Sequence, residues 1–242
     1  MQDLNFTTGR IKAVECAKEG YELIKSDYWL LFAIWLVGGM IGGISLFIAS
    51  GAMTAGTFYC YLKKIDGKPI KFDDLWKGMQ WFLPGLVIMM IIIVPLLMVY
   101  LLIYVPVIIA AVMGSRLSQD ELIAMLVGAV AIDLVLIVIM VCVHTLLVFA
   151  FPLIVDRNVG AFKAMTTSAR AVVKNLGGVA GMIGVNFVLV FCGYALLCVG
   201  IYFVIPIIIA ANLVAYRRVF PRLEHNFGLP PSDVYRGLQN AR

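Results

Sequence analysis

The chain has 242 residues, 62% of them hydrophobic and 14% charged, with a formal net charge of +5. Soluble domains carry roughly a quarter charged residues, and a soluble core of this size cannot hide so much apolar surface. Four runs, 28–62, 78–115, 122–155 and 175–216, contain no Asp, Glu, Lys or Arg apart from Asp133. Each exceeds the roughly 20 apolar residues that a bilayer-spanning helix needs, so the pattern predicts an all-α integral membrane protein.

In chain order, residues 1–27 are polar and lack the apolar core of a cleaved signal peptide. The first run is therefore expected to act as an uncleaved anchor. Within this segment Ile11, Val14, Cys16, Ala17, Tyr21 and Ile24 share one broad side of a helix, with Lys12, Glu15, Glu19 and Glu22 away from it. Run 28–62 is long enough for two short crossings or a re-entrant hairpin. Gly38, Gly39, Gly42, Gly43, Ser50 and Gly51 offer turning points there. Runs 78–115 and 122–155 are each expected to cross once, and Pro84, Pro95 and Pro106 can kink or trim the first of them. Between runs three and four, residues 159–176 repeat apolar side chains at three- and four-residue steps, a second amphipathic helix. Both amphipathic helices are expected on the membrane surface, with Phe162 and Met165 in the acyl boundary and Lys163, Arg170 and Lys174 near lipid head groups. Run 175–216 again suits two crossings or a re-entrant hairpin, with Gly193, Gly200 and Pro206 as turning points.

Charge placement sets the expected orientation. Of the 19 Lys and Arg residues, all but Arg116 fall before run one, after run one, between runs three and four, or after run four. Short basic loops stay in the cytoplasm. Six membrane-embedded helices follow, two of them short or re-entrant, with two cytoplasmic-face amphipathic helices and both termini inside. The expected organisation is a cytoplasmic amphipathic segment at 1–27, one transmembrane domain at 28–216 and a cytoplasmic tail at 217–242. The order of features in 11–64 recurs in 160–220, which suggests a parallel internal repeat with runs two and three between the copies.

The stretch Phe151-Pro152-Leu153-Ile154-Val155-Asp156-Arg157, then Ala164 to Ser168, a glycine-rich helix and Pro206 to Tyr216, resembles a group of bacterial multipass membrane proteins. That group includes the membrane domain fused to some glycerophosphodiester phosphodiesterases. The resemblance covers the C-terminal half, and 51–76 more loosely. It implies six helices in a bacterial cytoplasmic membrane and no established activity; the phosphodiesterase chemistry is not carried over.

The residues give little chemistry. Two histidines, no HExxH, no CxxC, no phosphate-binding glycine loop and no GxSxG argue against an enzyme, a metal site or a cofactor. The five cysteines, Cys16, Cys60, Cys142, Cys192 and Cys198, read as small apolar residues. The basic residues are interleaved with acids, so membrane orientation explains the charge without nucleic acid. Polar residues within the runs are the sharper signal. Asp133 and His144 lie eleven residues apart, on one face of a helix and about 16 Å from each other. With Asn186 and Asn212 they form a candidate polar track for an ion or small solute. The competing reading is interhelical hydrogen bonding, with Asp133 near the outer interface. The expected function is a non-catalytic accessory, assembly or lipid-interacting partner of a larger membrane system, its partners being lipids and other membrane proteins. The alternative is a small transporter or channel using Asp133 and His144.

Overall fold

The computed structural model describes residues 6–113, 118–195 and 199–222, and these are helical with no strand. A short helix α1 (Ala13–Ile24) leads into α2 (Tyr28–Ile44), which is followed by α3 (Ser50–Ile65). A 3-10 helix (Phe72–Trp81) runs into α4 (Phe82–Met113), and α5 (Gln119–Leu146) continues as α6 (Ala150–Arg157). The amphipathic α7 (Ala161–Lys174) precedes α8 (Leu176–Ala195) and α9 (Gly200–Val219). Among the described residues, five helical stretches are long and apolar enough to cross a membrane: 13–44, 72–112, 119–157, 176–195 and 200–219.

Helix α3 is the expected crossing that falls outside this set, being 16 residues long where a span needs about 20, and its composition is less apolar. It carries Ser50, Gly51, Thr54, Gly56 and Thr57, small or hydroxylic residues that lower its apolarity. Most of it is buried by protein, so lipid does not dictate its side chains, and small residues let neighbouring backbones close in. Gly42 of α2 faces Ser50 and Gly38 faces Thr57, while Gly39 and Gly43 look into open space. Of the pairs Gly38/Gly42 and Gly39/Gly43, each spaced four residues apart, only the first therefore packs within the chain. A Cβ on Gly51 would lie 2.3 Å from the carbonyl carbon of Gly85 on α4, and one on Gly78 would lie 2.1 Å from the Ala52 carbonyl oxygen.

Runs one and four each fold back on themselves. Between α2 and α3, Leu46 and Phe47 adopt positive φ of 50° and 66°. Ser45 Oγ donates to the Gly42 carbonyl (2.9 Å) and accepts from Ala49 N–H (3.0 Å), closing that turn. Helices α8 and α9 pack antiparallel, with Gly193 against Ile201 and Asn186 beside Asn212.

The amphipathic helices are held by protein on their inner sides. Gly20 of α1 sits against the backbone of Ala210 and Ala211 in α9, where a Cβ would approach Ala211 N to 2.8 Å. Arg218 ties the same pair together through Glu15 and Glu19. Helix α7 buries Ala164, Ser168, Ala171 and Val172 and packs on α6. Its Phe162 is exposed, and Met165 is partly buried against the core. The 3-10 helix, which carries Phe72, Leu75, Trp76 and Met79 at helical spacing, packs along α3, with Asp74 accepting from Lys63 (2.7 Å) and Lys77 (2.8 Å). So α1 lies on α9, the 3-10 helix on α3, and α7 on α6.

Helices α4 and α5 pair with each other and stand apart by length. At 32 and 28 residues they run about 48 and 42 Å at 1.5 Å per residue. Helices α8 and α9, at 20 residues each, run about 30 Å, the thickness of a hydrocarbon core. Side chains on the outer stretch of the long pair, among them Leu97, Leu101, Val127 and Val130, are exposed.

Candidate functional site: an intramembrane polar cavity

The site forms where run three breaks. Helix α5 ends at Leu146 and the chain restarts as α6 at Ala150. The break exposes backbone groups that a membrane cannot satisfy, and Ser168 of α7 meets them. Its Oγ donates to the Leu146 carbonyl (2.6 Å) and accepts from Phe149 N–H (3.1 Å). This fixes the last turn of α5, which carries His144 and Thr145, beside α8 and α9.

Two cavities adjoin there. One, of about 200 Å³, is lined by His144, Thr145, Asn186 and Asn212 together with apolar side chains such as Val179 and Met182. The other, of about 240 Å³, lies between α3, α4, the α5–α6 break and α9, and its polar lining is Thr54, His144 and Asn212. Asn186 Nδ2 donates to Asn212 Oδ1 across α8 and α9 at 3.2 Å. Asn186 Oδ1 is buried with no hydrogen-bond partner among the described residues. Three of the four track residues thus converge. Asp133 does not line either cavity. It is buried on α5, three helical turns from His144, and its Oδ1 has no hydrogen-bond partner among the described residues.

Lys163, Arg170 and Lys174 are exposed on α7, away from both cavities, and the Lys174 ammonium lies 5.6 Å from the Phe6 ring centroid. Arg116, Cys198 and the residues beyond 222, which include His225, lie outside the described residues.

A second polar feature was not singled out from the sequence. The ends of α3, α6 and α9 meet in an ionic cluster. Arg217 grips Asp66 with Nε (3.1 Å) and Nη2 (2.8 Å), and the same Nη2 lies 2.7 Å from Asp156. Tyr216 OH donates to Asp156 (2.7 Å), Arg157 Nε lies 2.9 Å from it, and Arg222 Nε donates to Asp66 (2.7 Å). Arg217 is 12% exposed and both carboxylates 15%. Opposite charges at this burial hold one another in place, and each would be costly alone. The available signal was that Asp66 directly follows α3 and Asp156 lies in the last turn of α6, each opposite a basic helix end. The cluster also bears on topology, since positions 66, 156 and 217 share one face of the bundle.

Among the described residues no three His, Cys, Asp or Glu side chains are grouped as metal ligands would be. No protein-family model, curated protein or solved structure matches this chain.

Proposed function

We propose that this chain is a non-catalytic protein of the bacterial cytoplasmic membrane, an accessory or assembly partner within a larger membrane system. The observation that carries this reading is the α4–α5 hairpin, which is far longer than a hydrocarbon core of about 30 Å and apolar along its exposed outer stretch. Lipid alone covers such arms only by steep tilt or a thickened bilayer; a partner protein covers them directly. Photocrosslinkers at Leu101 and Val130 in native membranes, with Phe187 of α8 as control, test this. The expected result is one discrete protein adduct from the hairpin positions that Phe187 does not give. Lipid adducts alone at Leu101 and Val130 would overturn it.

The same reading counts α3 as a sixth embedded helix and takes the face holding Asp66, Asp156 and Arg217 as cytoplasmic, because the basic residues cluster there. Where the sequence suggests two copies with runs two and three between them, this reading takes 72–157 as a third copy beside α1–α3 and α7–α9. Support comes from the cyclic packing: α1 on α9, the 3-10 helix on α3, and α7 on α6. Lys163, Arg170 and Lys174 then face head groups of the inner leaflet, each contributing about 1 kcal/mol near an anionic surface.

A second reading, transport of a small solute, draws on the cavities at His144, Asn186 and Asn212. The separation of Asp133 from them weighs against a continuous track. Replacing Asp133 with Asn should leave any phenotype unchanged, and Asp133→Leu should keep or raise the melting temperature in detergent. Loss of function with retained folding in Asp133→Asn would favour transport.

A further inference from the structure

We propose that the two adjoining cavities hold the head of a neutral amphiphile from the bilayer, one that presents a hydroxyl as donor and a second oxygen as acceptor. The cavities share His144, Val148 and Asn212. Joined, they reach the lower end of small-molecule sites, roughly 300–1,000 Å³. The lining follows the pattern of such sites, mostly apolar with a few polar groups at one point.

The polar groups specify the head. Among the described residues no Asp, Glu, Lys or Arg lines either cavity, so a full charge would enter uncompensated. Asn186 Nδ2 is engaged by Asn212 Oδ1, which leaves Asn186 Oδ1 as an acceptor and Asn212 Nδ2 as a donor. His144 adds one of each when neutral. A head that both donates and accepts satisfies this set, whereas a simple alkyl chain leaves it orphaned in hydrocarbon.

Access is lateral. Helices α5 and α8 barely touch, and His144, Ile183 and Phe187 are exposed along that gap. Asn186 lies ten residues into α8, and Asn212 five before Arg217, about 15 and 8 Å along their helices. The head therefore sits in the leaflet nearer the ionic cluster, with its tail leaving between α5 and α8. The outer stretch of the α4–α5 hairpin that carries the assembly reading, at Leu101 and Val130, does not line these cavities.

Two membrane sources offer such a head, a diacylglycerol and a prenyl quinol. The test reconstitutes the full-length protein in phosphatidylcholine nanodiscs with a photoactivatable diacylglycerol, a photoactivatable short-chain quinol or a photoactivatable phosphatidylglycerol. One neutral probe should label residues 179–187 or 208–215 saturably and be displaced by its unlabelled form; the charged lipid should not. Labelling should fall at least tenfold in His144→Leu/Asn212→Leu. It should fall likewise in Ile183→Trp, which keeps every polar group and fills the gap from an exposed position. Absence of saturable labelling by both neutral probes, or labelling unchanged in the variants, overturns the proposal whatever the hairpin crosslinks.

Discussion

Single residues show where this bundle has no slack. Gly78 meets the Ala52 carbonyl and the Gly56 backbone so closely that any Cβ forces two helices apart. Gly78→Ala should destabilise the protein by about 1–3 kcal/mol or more, read as a lower melting temperature in detergent. Gly39→Ala, with nothing within 4 Å of its Cβ, should leave it unchanged. The ionic cluster offers a similar contrast. Arg217→Ala removes the side chain that joins both carboxylates, each 15% exposed, while Asp66 keeps Arg222 and Asp156 keeps Arg157 and Tyr216, a loss of about 1.5–3 kcal/mol. Arg222 contacts the same Asp66 but is 54% exposed, and such pairs contribute about 0–1 kcal/mol. Arg222→Ala should therefore shift the melting temperature only slightly. Equal shifts would mean that the cluster is no more than surface pairing.

Among the elements, the α5–α6 break depends most on a neighbour. Ser168 alone supplies the hydroxyl that bridges Leu146 and Phe149. Removing it leaves buried backbone groups unpaired, at about 1–3 kcal/mol. Ser168→Ala should lower stability and open the cavities, with faster thiol labelling of a cysteine placed at Thr145; a Ser168→Thr variant should restore both. The hairpins in runs 28–62 and 175–216 were legible in the sequence because uncharged length and glycine clusters are local signals. The position of α3 at the centre was not, because its close contacts use glycines, whose partners no periodicity names. The ionic cluster was hidden for a related reason. Asp66, Asp156 and Arg217 lie far apart in the chain, and each reads locally as an ordinary helix end. Of the polar track, His144, Asn186 and Asn212 were legible as a group because intramembrane polar residues are few. Asp133 shares a face with His144, yet the length of α5 carries it away from the cavities.

For the whole molecule, the meeting of positions 66, 156 and 217 on one face requires an even number of passages between them. In a variant lacking native cysteines, a single cysteine at Lys68 or Arg170 should resist an impermeant thiol reagent in intact cells, and one at Ser118 should react. Reaction at Lys68 with protection at Arg170 would break that shared face. The packing of α1 on α9 has a consequence for synthesis. The groove that receives Gly20 is made by Ala210 and Ala211, which emerge from the ribosome nearly 200 residues later. At about 5–20 residues per second, α1 waits roughly 10–40 s with Cys16 and Ile24 uncovered. During that interval the nascent chain is a target for membrane proteases and a client for insertion chaperones, and release from both coincides with the arrival of α9. Chains stalled between α8 and α9 should accordingly be short-lived, although most of the apolar sequence is already in the membrane.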